Sequence, residues 1–250
     1  TALEGCDKAV IVPSGLAAHE DVTNVVKIGA AGTTRMPAIG VGVPSGLHRA
    51  SAPEVTALRD LGVGWWVVEA VLHDPMLPLD LAAVVRHRAG LAAQVQLDVI
   101  VPETLAPPDA ATHVASLCTA AGLTIEAVRL LPAPYLKSFQ PTDRWPDLPP
   151  LDEYARAARA HFPGARVGGG MFTSFTELNR KRPPADGLDF VGHATCPIVH
   201  AADDESVMQT VEALPHIVHS VRSVWPTLGY RLGPSSIAAR RNPYGAAPAD

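Results

Sequence analysis

The chain has 250 residues, a net charge of −5, 47% hydrophobic residues and 18% charged residues, enough apolar material for one large α/β core and no basic footprint. That balance excludes nucleic acid as a natural partner, and no apolar run reaches the roughly 18 residues of a membrane span. The three cysteines, Cys6, Cys118 and Cys196, are odd in number and far apart; they argue against a disulfide framework and for a reducing compartment, so the expected location is the cytoplasm.

Apolar, β-rich runs fall at residues 9–13, 38–43, 63–71, 95–101, 125–131, 165–169, 188–192 and 228–232, with helical stretches between most of them. Their near-continuous apolar character suits a parallel sheet buried on both faces. Ser51-Ala52-Pro53-Glu54 has the form of a capping box that opens a helix. Residues 80–89 read as a helix ending at Gly90, and residues 108–121 as one that opens on proline and closes at Gly122. Another spans 151–161, between Pro149-Pro150 and Pro163. A last helix over 204–224 carries Val207, Val211, Leu214, Val218 and Val221 on one face, and Pro215 is expected to interrupt it. The 132–150 connection exceeds the usual length of a structureless loop, so it reads as a lid or as a proline-stiffened excursion.

Alternating strands and helices predict βαβ units and a TIM-like (β/α)8 barrel. Residues 1–34 form an N-terminal strand and linker, and residues 35–250 the barrel domain. The eighth strand is supplied either by residues 9–13 or from outside this chain. The rival is a doubly wound open sheet, but no glycine-rich first turn of the dinucleotide-binding kind is present. In a barrel, the polar clusters that follow the last strands share the carboxyl-end rim, where such folds carry their chemistry.

Those clusters hold specific motifs. One runs from Gly168 to Pro184 and includes Phe175-Thr176-Glu177-Leu178-Asn179-Arg180. Another is Pro197-Ile198-Val199-His200-Ala201 followed by Asp203-Asp204, with Gln209-Thr210 and Glu212 beyond. The last is Arg240 followed by Asn242-Pro243. With Arg35-Met36-Pro37 through Gly42 upstream, this combination resembles the central barrel of the D-apionate lactonase family. The resemblance implies a TIM-like barrel that hydrolyses a sugar-acid lactone.

Lactone hydrolysis needs an activated water and a stabiliser for the oxyanion. Glu177 is the first candidate for general base; a helix-surface carboxylate paired with Arg180 or Lys181 is the alternative. His200, which can orient water or polarise a carbonyl, is the second catalytic candidate, and a hydrogen-bonded core histidine explains it equally. Asn179, Arg180, His193, Asp203, Asp204, Glu103, Asn242 and Tyr244 are the substrate-binding candidates. Asp203 or Asp204 also suits a helix cap, and Asn242 and Tyr244 a turn built on Asn-Pro. Glu69 and Asp98 lie within strands whose inward phase remains open.

The expected partner is a small sugar acid or carbohydrate, with no cofactor and no metal; a divalent ion on His193, His200 and an aspartate is the minor alternative. A Glu103–Glu177 pair would instead suit a glycoside hydrolase, and a silent sugar-acid-binding barrel is the non-catalytic reading. P-loop, nucleophile-elbow and HExxH patterns are absent.

Overall fold

The computed structural model describes residues 8–11, 24–27, 29, 32–33, 35–140, 142–198 and 201–237. The chain divides into two compact units, Thr1–Pro37 and Ala38–Asp250. In the first, β1 (Lys8–Ile11) and β2 (Asn24–Lys27) pair antiparallel as a two-stranded sheet. Of the two sources the sequence allowed for an eighth strand, residues 9–13 or a segment outside this chain, the first is not the one seen, since the described Lys8–Ile11 pairs in a separate sheet. Asn24–Lys27, a strand the sequence reading passed over, offers a partner nearby in sequence, and a short loop closes at lower entropic cost than a long one.

The second unit is built on seven parallel strands: β3 (Gly40–Val43), β4 (Trp65–Val71), β5 (Gln94–Val101), β6 (Ala127–Pro132), β7 (Arg166–Gly170), β8 (Phe190–Thr195) and β9 (Gly229–Ser235). Each pairs with its neighbour in sequence, in the order β3 to β9 without reversal. A doubly wound sheet would reverse direction at a switch point, so that rival is excluded. β3 and β9 approach each other without pairing, which leaves a nearly closed TIM-like barrel of seven strands.

The connecting helices are α1 (Ala52–Asp60), α2 (Leu77–Arg88), α3 (Pro107–Ala121), α4 (Leu151–His161), α5 (Phe175–Lys181), α6 (Asp204–Glu212) and α7 (Leu214–Val224). The capping box at α1 forms: the Ser51 backbone N–H donates to Glu54 at 2.7 Å. α3 ends on Gly122 at φ 68°, the left-handed geometry that a β-carbon would disfavour. Pro215 divides the predicted 204–224 helix into α6 and α7 and sits in the first turn of α7, where its missing N–H costs nothing.

One face of each strand packs outward on the helices. Val95, Leu97, Val99 and Val101 of β5 share the main core with Leu81 and Val84 of α2 and Val114 of α3. The period of two in a strand therefore points Gln96 and Asp98 into the lumen. By register with Asp98, Glu69 of β4 and Arg129 of β6 belong to the same inner layer. Three consecutive glycines finish β7 because three neighbours need the room. A β-carbon at Gly168 would stand 2.2 Å from the Phe190 ring, one at Gly169 would stand 2.6 Å from Leu188, and one at Gly170 would stand 1.9 Å from the Gly192 carbonyl oxygen.

Candidate active site at the carboxyl end of the barrel

The lumen is polar and internally paired. Arg129 is buried on β6 and grips Asp98 of β5 through Nε at 2.9 Å and Nη2 at 2.5 Å. Gln96 donates to the same Asp98 at 2.7 Å, and Arg231 of β9 reaches across to the Gln96 side-chain oxygen. The Arg231 guanidinium lies between two rings, 4.2 Å from the centre of Trp65 and 4.1 Å from that of Phe190. Burial and the neighbouring arginines lower its pKa to about 10, still far above neutral, so it remains a cation. Arg231 thus ties β9 to β4 and β5 through the lumen, although β9 does not pair with β3. One carboxylate, Asp98, the Gln96 amide and two guanidiniums form the floor beneath the carboxyl-end mouth.

The rim above is organised around Glu177. The carboxylate is 2% exposed in the first turn of α5. Ser138 donates to Oε1 at 2.6 Å, Thr176 donates to Oε2 at 2.9 Å, and Arg180 approaches Oε1 at 3.4 Å. Arg180 also donates to the Phe139 carbonyl at 2.7 Å. The long β6–α4 connection is therefore fastened to α5 rather than standing free. Trp145 completes the clasp: it stacks on Phe139 at 4.6 Å, meets Tyr135 edge-on at 5.6 Å, and carries the Lys181 ammonium 4.9 Å above its ring.

His193, at the end of β8, is fully buried. Its Nδ1 lies 2.8 Å from the Ala194 carbonyl oxygen and its Nε2 2.8 Å from the Tyr230 hydroxyl. A carbonyl only accepts, so Nδ1 carries the proton and Nε2 accepts from Tyr230. Burial, chiefly, and then the charge of Arg129 hold its pKa below the usual histidine range. Burial also pushes the Tyr230 hydroxyl up to about 12. This pair stays neutral near neutral pH. Beside it, on the β7–α5 loop, the buried Thr173 hydroxyl has no hydrogen-bond partner among the described residues.

The remaining sequence candidates are distributed differently. Asn179 accepts from Arg182, whose left-handed backbone at φ 44° ends α5. Asp203 caps α6 by accepting from the Ser206 N–H at 2.9 Å, and Asp204, the next residue, is exposed. Glu103 is exposed just beyond the end of β5. His200, Asn242 and Tyr244 lie outside the described residues. Among the described residues, no three histidine, cysteine or carboxylate side chains gather in a metal-holding group, and no helix is long and apolar enough to cross a membrane.

Sequence reasoning left Asp98 and Glu69 unphased and passed over Arg129, Arg231 and Gln96. The signal was available in Gln94-Val95-Gln96-Leu97-Asp98-Val99, whose strict polar–apolar alternation marks a strand with one polar face.

A singly wound parallel barrel with a charged floor and a polar carboxyl-end rim defines a TIM-barrel protein of the kind that hosts small-molecule sites. A family model described as "D-apionate lactonase, TIM barrel domain" matches residues 39–250, and the chain belongs to that family. It is 42% identical over 214 residues to a curated D-apionate lactonase from Brucella anthropi, a match covering 84% of this chain and 35% of the relative, so the chain spans about a third of that protein's length. Among solved structures, a fungal β-1,4-galactanase superposes with a TM-score of 0.50 at 12% identity, over 73% of this chain and 65% of the other. At that identity the likeness concerns the fold alone.

Proposed function

We propose that the carboxyl-end mouth of this barrel binds and hydrolyses the lactone of a sugar acid. The observation that carries this reading is the 42% identity to a protein named D-apionate lactonase, which runs over 84% of this chain. The mouth suits the chemistry. A lactone of a sugar acid presents hydroxyls and one carbonyl, and its hydrolysis develops negative charge on that carbonyl oxygen. Fixed cationic and hydrogen-bonding groups in a region shielded from water stabilise such charge strongly. Arg129, held rigid by Asp98, supplies that field from the floor. The buried Thr173 hydroxyl, without a partner among the described residues, is the donor this reading assigns to a ligand oxygen.

Glu177 acts here as an anchor rather than as the water-activating base. Both of its oxygens already accept hydrogen bonds, and it is 2% exposed. Its role is to hold Ser138 and the long connection at the edge of the mouth. Asn179, Arg180 and Asp203 likewise support their own elements. Glu103 and Asp204, both exposed, are the acceptors this reading assigns to substrate hydroxyls.

The glycosidase reading needs two free carboxylates across the scissile bond. Of the Glu103–Glu177 pair, Glu103 is exposed but Glu177 is tied to Ser138, Thr176 and Arg180, so one free carboxylate of the two remains, which favours the lactone. The test is a panel of aldonolactones, including that of D-apionate, set beside aryl glycosides. Acid release from a lactone is expected. Aryl release alone would establish the glycosidase, and tight binding without turnover would establish a receptor.

A further inference from the structure

Asp80 is an almost fully buried carboxylate, 2% exposed, near the start of α2, among the core residues Leu77, Leu81, Ala83 and Val84. Its partners all come from the short 3-10 turn Leu47–Arg49 that follows β3, and from the residue before it. The Gly46 N–H donates to one oxygen at 2.7 Å. The His48 N–H donates to the other at 2.8 Å, and His48 Nδ1 lies 2.6 Å from that same oxygen.

The two backbone bonds are enough to fix the turn. The third fixes the ring. A carboxylate accepts, so Nδ1 carries the imidazole proton and Nε2 keeps its lone pair. No described residue bonds Nε2, and the side chain retains 16% exposure. The turn follows the carboxyl end of β3, and α2 begins just past the carboxyl end of β4, so the pair lies on the carboxyl-end side of the barrel. A carboxylate that sets the tautomer and orientation of an imidazole, with the far nitrogen open, is the arrangement a general base requires. The buried carboxylates do not offer this. Asp98 has both oxygens bonded to Arg129, and Glu177 has both oxygens bonded to hydroxyls.

We infer that His48 is the general base for lactone opening and that Asp80 is its positioning residue. The inference rests on the lactonase reading above. His48 Nε2 takes a proton from a water molecule as the water oxygen bonds to the lactone carbonyl carbon. The tetrahedral intermediate then collapses: the bond between that carbon and the ring oxygen breaks, and the imidazolium returns its proton to the departing ring oxygen. One lactone and one water give one hydroxy acid, which ionises at neutral pH, and the enzyme is unchanged.

The experiment measures initial rates of acid release on the aldonolactone panel for the wild type, His48→Asn, His48→Ala and Asp80→Asn, with thermal melts to confirm folding. Asparagine can present an amide N–H to Asp80 where Nδ1–H stood, so His48→Asn keeps the turn fastened while removing Nε2. Its kcat is expected to fall by about 10²–10⁴ with little change in KM. Added imidazole should restore part of the His48→Ala rate in a concentration-dependent manner. It should not restore Asp80→Asn, whose ring is present but no longer held. If His48→Asn is folded and its kcat stays within about threefold of the wild type, or if only KM changes, His48 is not the base while the lactonase reading survives. If His48→Ala fails to fold, His48→Asn alone decides. If the wild type opens no lactone in the panel, both readings fall together.

Discussion

Replacing Asp98 by alanine tests the charged floor. In the wild type, Arg129 is 2% exposed and gives two short hydrogen bonds to Asp98; its only other described contact with an oxygen is the Met171 carbonyl at 3.4 Å. Asp98→Ala leaves a buried guanidinium without its counter-charge and takes the acceptor from Gln96 as well. Removing one partner of a buried ion pair costs about 3–5 kcal/mol. For a cooperative unit of this size, about 2–4 °C of melting temperature accompanies each kcal/mol, so the melt should fall by roughly 6–20 °C. The double variant Asp98→Leu with Arg129→Met removes both charges and fills similar space. It should recover most of the loss, because replacing a whole buried pair by apolar groups is often neutral or stabilising. The assay is thermal and urea unfolding of all three proteins by circular dichroism. A single variant that melts within about 2 °C of the wild type would refute the account of a desolvated pair. So would a double variant as unstable as the single one.

Three further expectations follow from the same structure. Gly170→Ala places a β-carbon 1.9 Å from the Gly192 carbonyl oxygen, at a backbone φ of 119°; strain and overlap should together cost about 3 kcal/mol or more, read by urea unfolding. Ser138→Ala removes one donor to Glu177, so the 133–150 connection should be cut faster in limited proteolysis while the barrel resists. His193 is held neutral below its usual pKa of 6.5. The unfolded chain therefore takes up its proton first as pH falls, and the stability this neutral histidine contributes is full above about 6.5 and declines below it. His193→Gln keeps an acceptor for Tyr230, and its melting temperature should fall less steeply than the wild type between pH 7.5 and pH 5.

Much of the barrel was legible because helix and strand punctuation is local. Ser51 and Glu54, Gly122, and Pro215 each mark a boundary through contacts within a few residues, and each boundary formed where its chemistry requires. The barrel's closing strand was not legible in that way. The apolar run at 9–13 has no local feature that separates a barrel strand from one arm of an antiparallel pair, and its described part, within Lys8–Ile11, forms the latter.

Of the candidate site, local sequence signals reach the elements but not the contacts between them. Glu177, Asn179 and Arg180 do stand at the mouth's edge, but what occupies Glu177 is Ser138, 39 residues away in the chain, which no spacing rule connects to it. His48 and Asp80 are likewise 32 residues apart. The reason for the triple glycine was not legible in the sequence. It is the Phe190 ring, the Leu188 side chain and the Gly192 carbonyl on the neighbouring strand and its approach. The alternation Gln94 to Val99 was readable, and once the outward valines fix its phase it places Gln96 and Asp98 in the lumen.

The central claim is that lactone chemistry takes place in the carboxyl-end mouth, above the Asp98–Arg129 floor. The most direct measurement is a crystal structure with a bound lactam, the nitrogen counterpart of the lactone, which holds the ring without being readily opened. The account requires the ligand in that mouth, with its carbonyl carbon one water away from His48 Nε2 and ring hydroxyls on the rim. A lactam seated at the opposite end of the barrel, or on the outer helices, would contradict it.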